Sequence, residues 1–169
     1  MKDGLAETGI ISESELSGAP RLPSLARMGR GKVAVIECLQ EIPCNPCETV
    51  CPSKAITIGR PITNLPQLDE ELCNGCGICV SACPGQAIFL VDGRAVDGKV
   101  LITLPYEYSP LSQVGEEVIA LDRAGAPVDN ARVARISRPK GYDRTPLLTI
   151  SVAEGLEHKV RGVRRISNE

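Results

Sequence analysis

The chain has 169 residues, 43% of them hydrophobic and 24% charged, with a mean hydropathy near zero and a formal net charge of −2; these values exclude a disordered chain and fit one mid-sized domain or two small ones. Three Tyr, one Phe and no Trp leave little from which to build base-stacking platforms, and the acidic balance disfavours a chain devoted to phosphate backbones. A single His excludes any site that needs several imidazoles, which leaves eight cysteines as the unusual feature.

Residues 1–31 read as an extended arm with one short helix, punctuated by Gly18, Pro20, Pro23, Gly29 and Gly31. The start, Met1-Lys2-Asp3-Gly4-Leu5-Ala6-Glu7, lacks the basic residues and apolar run of a secretory leader. No stretch of roughly 18 apolar residues is present, so no membrane span is expected. These features point to a cytoplasmic protein, where thiols stay reduced and grouped cysteines bind metal or do redox work.

All eight cysteines fall between Cys38 and Cys83, inside a segment taken as residues 32–92. Residues 93–169 alternate β-branched runs with turn residues. They predict strands at Lys99–Leu104, Glu117–Leu121, Ala131–Ile136, Leu147–Val152 and Val160–Ile166, with turns at Asp122-Arg123-Ala124-Gly125 and Asp129-Asn130. Five short strands in that span suggest a small all-β barrel or sandwich domain for docking. Charge is mildly segregated: 7 basic and 11 acidic residues in 1–92, against 12 basic and 10 acidic in 93–169.

The cysteines form an internal repeat. Cys44, Cys47, Cys51 and Pro52 recur 32 residues later as Cys76, Cys79, Cys83 and Pro84, and Ala55-Ile56 recurs as Ala87-Ile88. The second copy, Cys73-x2-Cys76-x2-Cys79-x3-Cys83-Pro84, has the spacing of the bacterial ferredoxin run. The first copy, Cys38-x5-Cys44-x2-Cys47-x3-Cys51-Pro52, has three extra residues between its first two cysteines. A tight C-x2-C-x2-C loop places three thiolates at three corners of one cubane cluster, with backbone N–H groups aimed at its sulfides. Zinc sites use C-x2-C pairs separated by a dozen or more residues rather than triplets followed by x3-C-P, so two zinc sites are the weaker reading, and a disulfide framework is weaker still.

On these two runs, both prolines and the Ala-Ile repeat, residues 32–92 resemble the bacterial two-[4Fe–4S] ferredoxins. The resemblance implies an α+β fold: a ferredoxin-like two-cluster domain, here followed by the small β-domain. It implies strands at Val33–Glu37, Ile56–Ile58 and Ala87–Val91, helices near Pro46–Val50 and Ile78–Ala82, and a pseudo-twofold axis between the halves. It also implies that cluster I takes Cys38, Cys44, Cys47 and Cys83 and that cluster II takes Cys73, Cys76, Cys79 and Cys51, each run lending one ligand to the other cluster. The long spacer departs from the family pattern. Cys38 is therefore either the remaining ligand, with Pro43 and Pro46 holding an enlarged loop, or a buried apolar cysteine with a three-iron cluster or an exogenous ligand in its place. The copies also differ in backbone chemistry. Gly75 and Gly77 let the cluster II loop approach sulfides closely, whereas Pro46 offers no N–H, so cluster I is expected to have the lower potential.

The remaining polar features read as structural or solvated. His158 stands in the polar run Glu157-His158-Lys159, Gly29-Arg30-Gly31-Lys32 lacks phosphate-loop spacing and reads as a basic turn, and Asp69-Glu70-Glu71 and Glu116-Glu117 read as solvated acids. Arg132, Arg135, Arg138, Lys140 and Arg144 form a basic patch better suited to solvent or protein than to nucleic acid. There is no Ser/His/Asp set, no P-loop and no dinucleotide fingerprint, so no catalytic residue is assigned.

The expected function is an electron-transfer iron–sulfur subunit passing single electrons through two [4Fe–4S] clusters between a flavoprotein and an acceptor. The arm and the β-domain add over 100 residues to a ferredoxin, which favours a subunit of a hetero-oligomeric oxidoreductase. The layout is also similar to small iron–sulfur subunits of flavin-dependent amine and imino-acid dehydrogenases. The alternatives are a redox-sensing regulatory protein that binds nucleic acid or protein, and a free ferredoxin.

Overall fold

The computed structural model describes residues 4–17, 22–140 and 144–166. Of the residues read above, Met1–Asp3, Gly18 and Pro20 lie outside them. The arm is more structured than the expected extended segment with one helix. It has three single-turn helices: α1 (Leu5–Thr8), α2 (Glu13–Leu16) and α3 (Leu25–Met28). Capping explains turns this short. Ser12 and Glu15 form a capping box on α2, and the Glu15 carboxylate also accepts from the Leu5 N–H at 3.0 Å, tying α1 to α2. Ser24 caps α3 by accepting from the Arg27 N–H at 3.1 Å. Met28, at the end of α3, is buried in the main core.

The arm docks on the acidic run, so Glu70 is half-buried and engaged, while Asp69 and Glu71 remain exposed as expected. The Glu70 carboxylate accepts from the Ser24 N–H at 2.6 Å and from the Ser24 hydroxyl at 2.9 Å, and Glu71 pairs with Arg30. Asp69 closes the turn between them by accepting from the Glu71 and Leu72 N–H groups.

The cysteine segment contains β1 (Val33–Ile36), α4 (Pro46–Thr49), β2 (Ile56–Thr57), β3 (Gln67–Leu68), α5 (Ile78–Ala82) and β4 (Ile88–Val96). β1 pairs antiparallel with β4, and β2 pairs with the unexpected short strand β3. Every residue of β1 is buried. Val33 and Val35, with Phe89 and Val91 opposite them, face the main core. Ala34 and Ile36, with Leu90 and Ile88 opposite, face a second core that contains Cys47 and Cys79. Strands covered on both sides read as unbroken apolar runs, as Val-Ala-Val-Ile does.

β4 turns directly into β5 (Lys99–Pro105) through Asp97-Gly98, both at positive φ, so residue 92 lies within a strand of one continuous sheet. β6 (Glu117–Leu121), β7 (Pro127–Ser137), β8 (Leu147–Ala153) and β9 (Gly162–Arg165) complete a seven-stranded antiparallel sheet of order β1-β4-β5-β8-β7-β6-β9. The fold thus mixes one large sheet with few short helices.

The expected turn at Asp129-Asn130 is overturned. Both residues lie inside β7, paired with Ala120 and Ile119. The turn belongs to Asp122, whose carboxylate accepts from the Ala124 and Ala126 N–H groups, with Gly125 at φ 80°. Glu116 is likewise not simply solvated, because it takes the Arg165 Nε–H at 2.6 Å and fixes β9 beside β6. Glu117 and Arg132 do form an exposed pair, and His158 is exposed.

The sheet curls around the main core so that its two ends approach each other. Glu37, which follows β1, accepts from Arg161, which precedes β9, at 2.6 Å, and also from Arg123 after β6 at 2.8 Å. Arg161 also lies 5.0 Å from the centroid of the Phe89 ring.

Candidate metal centre

The internal repeat survives as geometry. α4 begins at Pro46 and α5 at Ile78, the same 32-residue offset, so Cys47 and Cys79 occupy the second position of matching helical turns. The Ala-Ile repeat has a physical basis. The Ala55 N–H donates to Cys51 Sγ at 3.2 Å and the Ala87 N–H donates to Cys83 Sγ at 3.4 Å, while Ile56 and Ile88 bury their side chains beneath. Such N–H···S contacts stabilise thiolate over thiol.

Two cavities lie on this face of the molecule. Cys38, Cys44, Cys47 and Cys83 line one, with Ile36, Ile58 and Ile88 as its apolar wall. Cys51, Cys73, Cys76 and Cys79 line the other, with Ile56 and Leu90 behind them. Each cavity therefore receives three cysteines of one run and the last cysteine of the other. Cys38 sits with the other three of its cavity despite the long spacer. Among the described residues no three His, Cys, Asp or Glu side chains converge closely enough to hold a single metal ion. Four thiols around each cavity are a donor set that suits a four-iron cluster.

Without a cation, four converging thiols are electrostatically unfavourable as thiolates. Burial, reinforced by the neighbouring Cys83, Cys44 and Cys38, pushes the Cys47 thiol up to about 11. Cys79 is raised further by burial and by Cys73, Cys76 and Cys51. At Cys51 the balance reverses. Burial alone would raise it, but hydrogen bonds from Ser53 and from the Ala55 and Ile56 N–H groups bring it below the ordinary thiol value. A cationic metal core bound by these four-thiol sets would displace protons from the raised thiols.

The glycines of the second loop are required by their left-handed backbone and, at Gly75, also by packing against backbone. Gly75 has φ 66°, and a Cβ there would stand 2.5 Å from the Lys32 carbonyl oxygen; Gly77 has φ 86°, and its Cβ would stand 2.8 Å from Leu147 Cδ1. The second loop is thus pressed against the residue leading into β1 on one side and against β8 on the other. In the first copy Asn45 and Pro46 replace Gly77 and Ile78 at the helix start, and the Cys44 N–H donates to the Ile62 carbonyl at 3.3 Å.

Three long-range contacts beside the cysteines were missed by sequence reasoning, the Arg27 bond to the Cys73 carbonyl at 2.6 Å and the Glu37 pairs with Arg123 and Arg161 beside Cys38. No local signal could have found them, because they join residues 46 to 124 positions apart.

Residues 66–89 match the family model described as 4Fe-4S binding domain. The chain contains a 4Fe-4S binding domain. It is 39% identical over 51 residues to the ferredoxin-type protein NapF of Escherichia coli K12, covering 29% of this chain and 31% of that protein. It is 49% identical over 45 residues to the B component of the Na(+)-translocating ferredoxin:NAD(+) oxidoreductase complex of Acetobacterium woodii, covering 27% of this chain and 13% of that one. It is 45% identical over 49 residues to the B component of the ion-translocating oxidoreductase complex of Methanosarcina acetivorans, covering 29% of this chain and 17% of that one. The similarity thus spans less than a third of each of these relatives. No solved structure matches the chain. The domain match and these names support an iron–sulfur, electron-transfer role. No helix among the described residues is long and apolar enough to cross a membrane.

Proposed function

We propose that the chain holds two [4Fe–4S] clusters, cluster I on Cys38, Cys44, Cys47 and Cys83 and cluster II on Cys51, Cys73, Cys76 and Cys79. It serves as an electron-relay subunit in a cytoplasmic, hetero-oligomeric oxidoreductase. The observation that carries this reading is the exchange of Cys51 and Cys83 between the two cavities, which holds the sites side by side. A [4Fe–4S] cluster supplies one-electron chemistry with little change of structure. The protein's own part is to hold and tune. Eight thiols anchor, Ala55 and Ala87 donate to thiolate sulfur, and Ile36, Ile58, Ile88 and Leu90 keep the cavity walls dry.

The partner in this reading is a flavoprotein dehydrogenase subunit of the amine or imino-acid type. It would receive the substrate's electron pair, and this chain would carry the electrons singly to an acceptor. A complex is also supported by the relatives named as components of oxidoreductase complexes. The arm and the strands beyond β5 are the parts available for docking, and the chain itself has no catalytic residue in this reading. The test is anaerobic purification from native cells. Co-purification of a flavoprotein in fixed ratio, with bleaching of the cluster absorption on adding its substrate, is the expected result. A monomer that exchanges electrons freely with unrelated reductases would overturn the subunit assignment.

A further inference from the structure

The arm reaches the second cysteine loop through one side chain. Arg27 has only 9% of its surface exposed, and its guanidinium spans two segments. Nε donates to the Glu70 carbonyl at 2.7 Å and one Nη donates to the Cys73 carbonyl at 2.6 Å and the Lys32 carbonyl at 3.3 Å. The other Nη donates to the Gly31 carbonyl at 3.1 Å. The fork therefore clamps the residues leading into β1 against the start of the Cys73–Cys79 loop, at the place where Gly75 also meets Lys32. All four bonds go to neutral carbonyl oxygens. Two acids lie close by: Glu70, whose carboxylate accepts from the neutral Ser24, and Glu71, which pairs with Arg30 and is also stabilised by the Arg27 charge.

A buried guanidinium bonded only to carbonyls is costly unless anions lie near, as Glu70 and Glu71 do here. A thiolate-bound cluster is such an anion, and reduction adds one more negative charge to it. Near the first cavity Arg123 and Arg161 share the single Glu37 carboxylate, which leaves one positive charge in excess there, but neither arginine bonds a cysteine carbonyl.

We propose that Arg27 is a positioning residue for cluster II, which fixes the Cys73 end of its loop and holds its reduction potential up with a buried positive charge beside it. This rests on the two-cluster reading above. The N-terminal arm is then part of the redox centre rather than a separate appendage.

The test is an EPR-monitored redox titration of the anaerobic holoprotein as wild type, Arg27→Gln and Arg27→Lys, with iron and labile sulfide measured on each. For Arg27→Gln, the reduction equilibrium of cluster II is expected to shift on the order of tenfold toward the oxidised form, which is about 59 mV for a one-electron couple. Cluster I is expected to move much less. Arg27→Lys keeps the charge without the fork and is expected to move cluster II by less than the glutamine variant. Arg27→Gln with full iron and sulfide and an unshifted cluster II sinks the proposal, as does an equal shift of both clusters. Loss of the β-sheet circular dichroism in both variants would also overturn it, by showing Arg27 to be a fold residue. Wild-type protein without labile sulfide would instead bring down the two-cluster reading itself.

Discussion

The Glu37 carboxylate accepts from Arg161 Nε at 2.6 Å, joining residues 124 positions apart where the first and last strands of the sheet approach each other. Both side chains are almost fully buried, at 4% and 3% exposure, and Arg123 closes the group from a third direction. Glu37 immediately precedes Cys38, so this ion group ties the C-terminal strands to the first cysteine loop.

Removing the carboxylate leaves two arginines facing each other without a counter-charge. Glu37→Gln is expected to cost about 3–5 kcal/mol, the usual penalty for breaking a buried pair by deleting one member. Denaturant midpoints followed by circular dichroism will measure it; a loss below about 1 kcal/mol would show that the group contributes little.

The same carboxylate sets a pH dependence. Burial would raise its pKa, but the Arg123 fork and the charge of Arg161 outweigh burial, and it sits below the ordinary glutamate value of 4.5. A folded-state pKa below the unfolded one means stability that is fully present above pH 4.5 and is lost as pH falls through the lower folded value. The stability gap between wild type and Glu37→Gln should therefore hold from neutral pH down to about 4.5 and narrow only below it. A gap that narrows between pH 7 and 5 contradicts this.

Cys38→Ser tests the cysteine that the long spacer set apart. The variant is expected to lose an intact cluster I and keep cluster II, so its iron content should fall while the EPR signal of one four-iron cluster remains. Two intact clusters in this variant would show that Cys38 is not a ligand.

The two clusters should titrate in separate steps, with cluster I the harder to reduce, because Pro46 offers no N–H. The step missing from Cys38→Ser identifies cluster I. If that step lies at the higher potential, the assignment is reversed.

Gly75→Ala places a methyl group 2.5 Å from the Lys32 carbonyl in a left-handed conformation. The conformation alone costs roughly 1–2 kcal/mol, and the clash adds to it. Selective loss of cluster II is the expected reading by iron analysis and EPR, and a variant with wild-type content of both clusters would contradict it.

How far the fold can be read from sequence varies with the range of the interactions. The paired helices α4 and α5 come from the resemblance, and most strand positions after residue 98 are legible because β-branched runs are local signals. A turn at Asp129-Asn130 is misplaced because turn-forming residues can sit inside a strand when both neighbours pair, as Ala120 and Ile119 do with them. The Asp97-Gly98 hairpin is a readable local signal that the strand pattern alone overlooks, and it makes the sheet continuous from the cysteine segment into the β-region. The clamps of Arg27 and Arg161 are not legible, because a charged residue in a sequence says nothing about which distant backbone it will meet. For the cysteines, spacing implies grouping, and the sharing of Cys51 and Cys83 between cavities comes from the resemblance.

Iron and acid-labile sulfide per chain, measured on anaerobically prepared holoprotein, test the central claim most directly. Brown protein with about eight irons and about eight sulfides per chain is the predicted result; colourless protein containing zinc and no labile sulfide would contradict it.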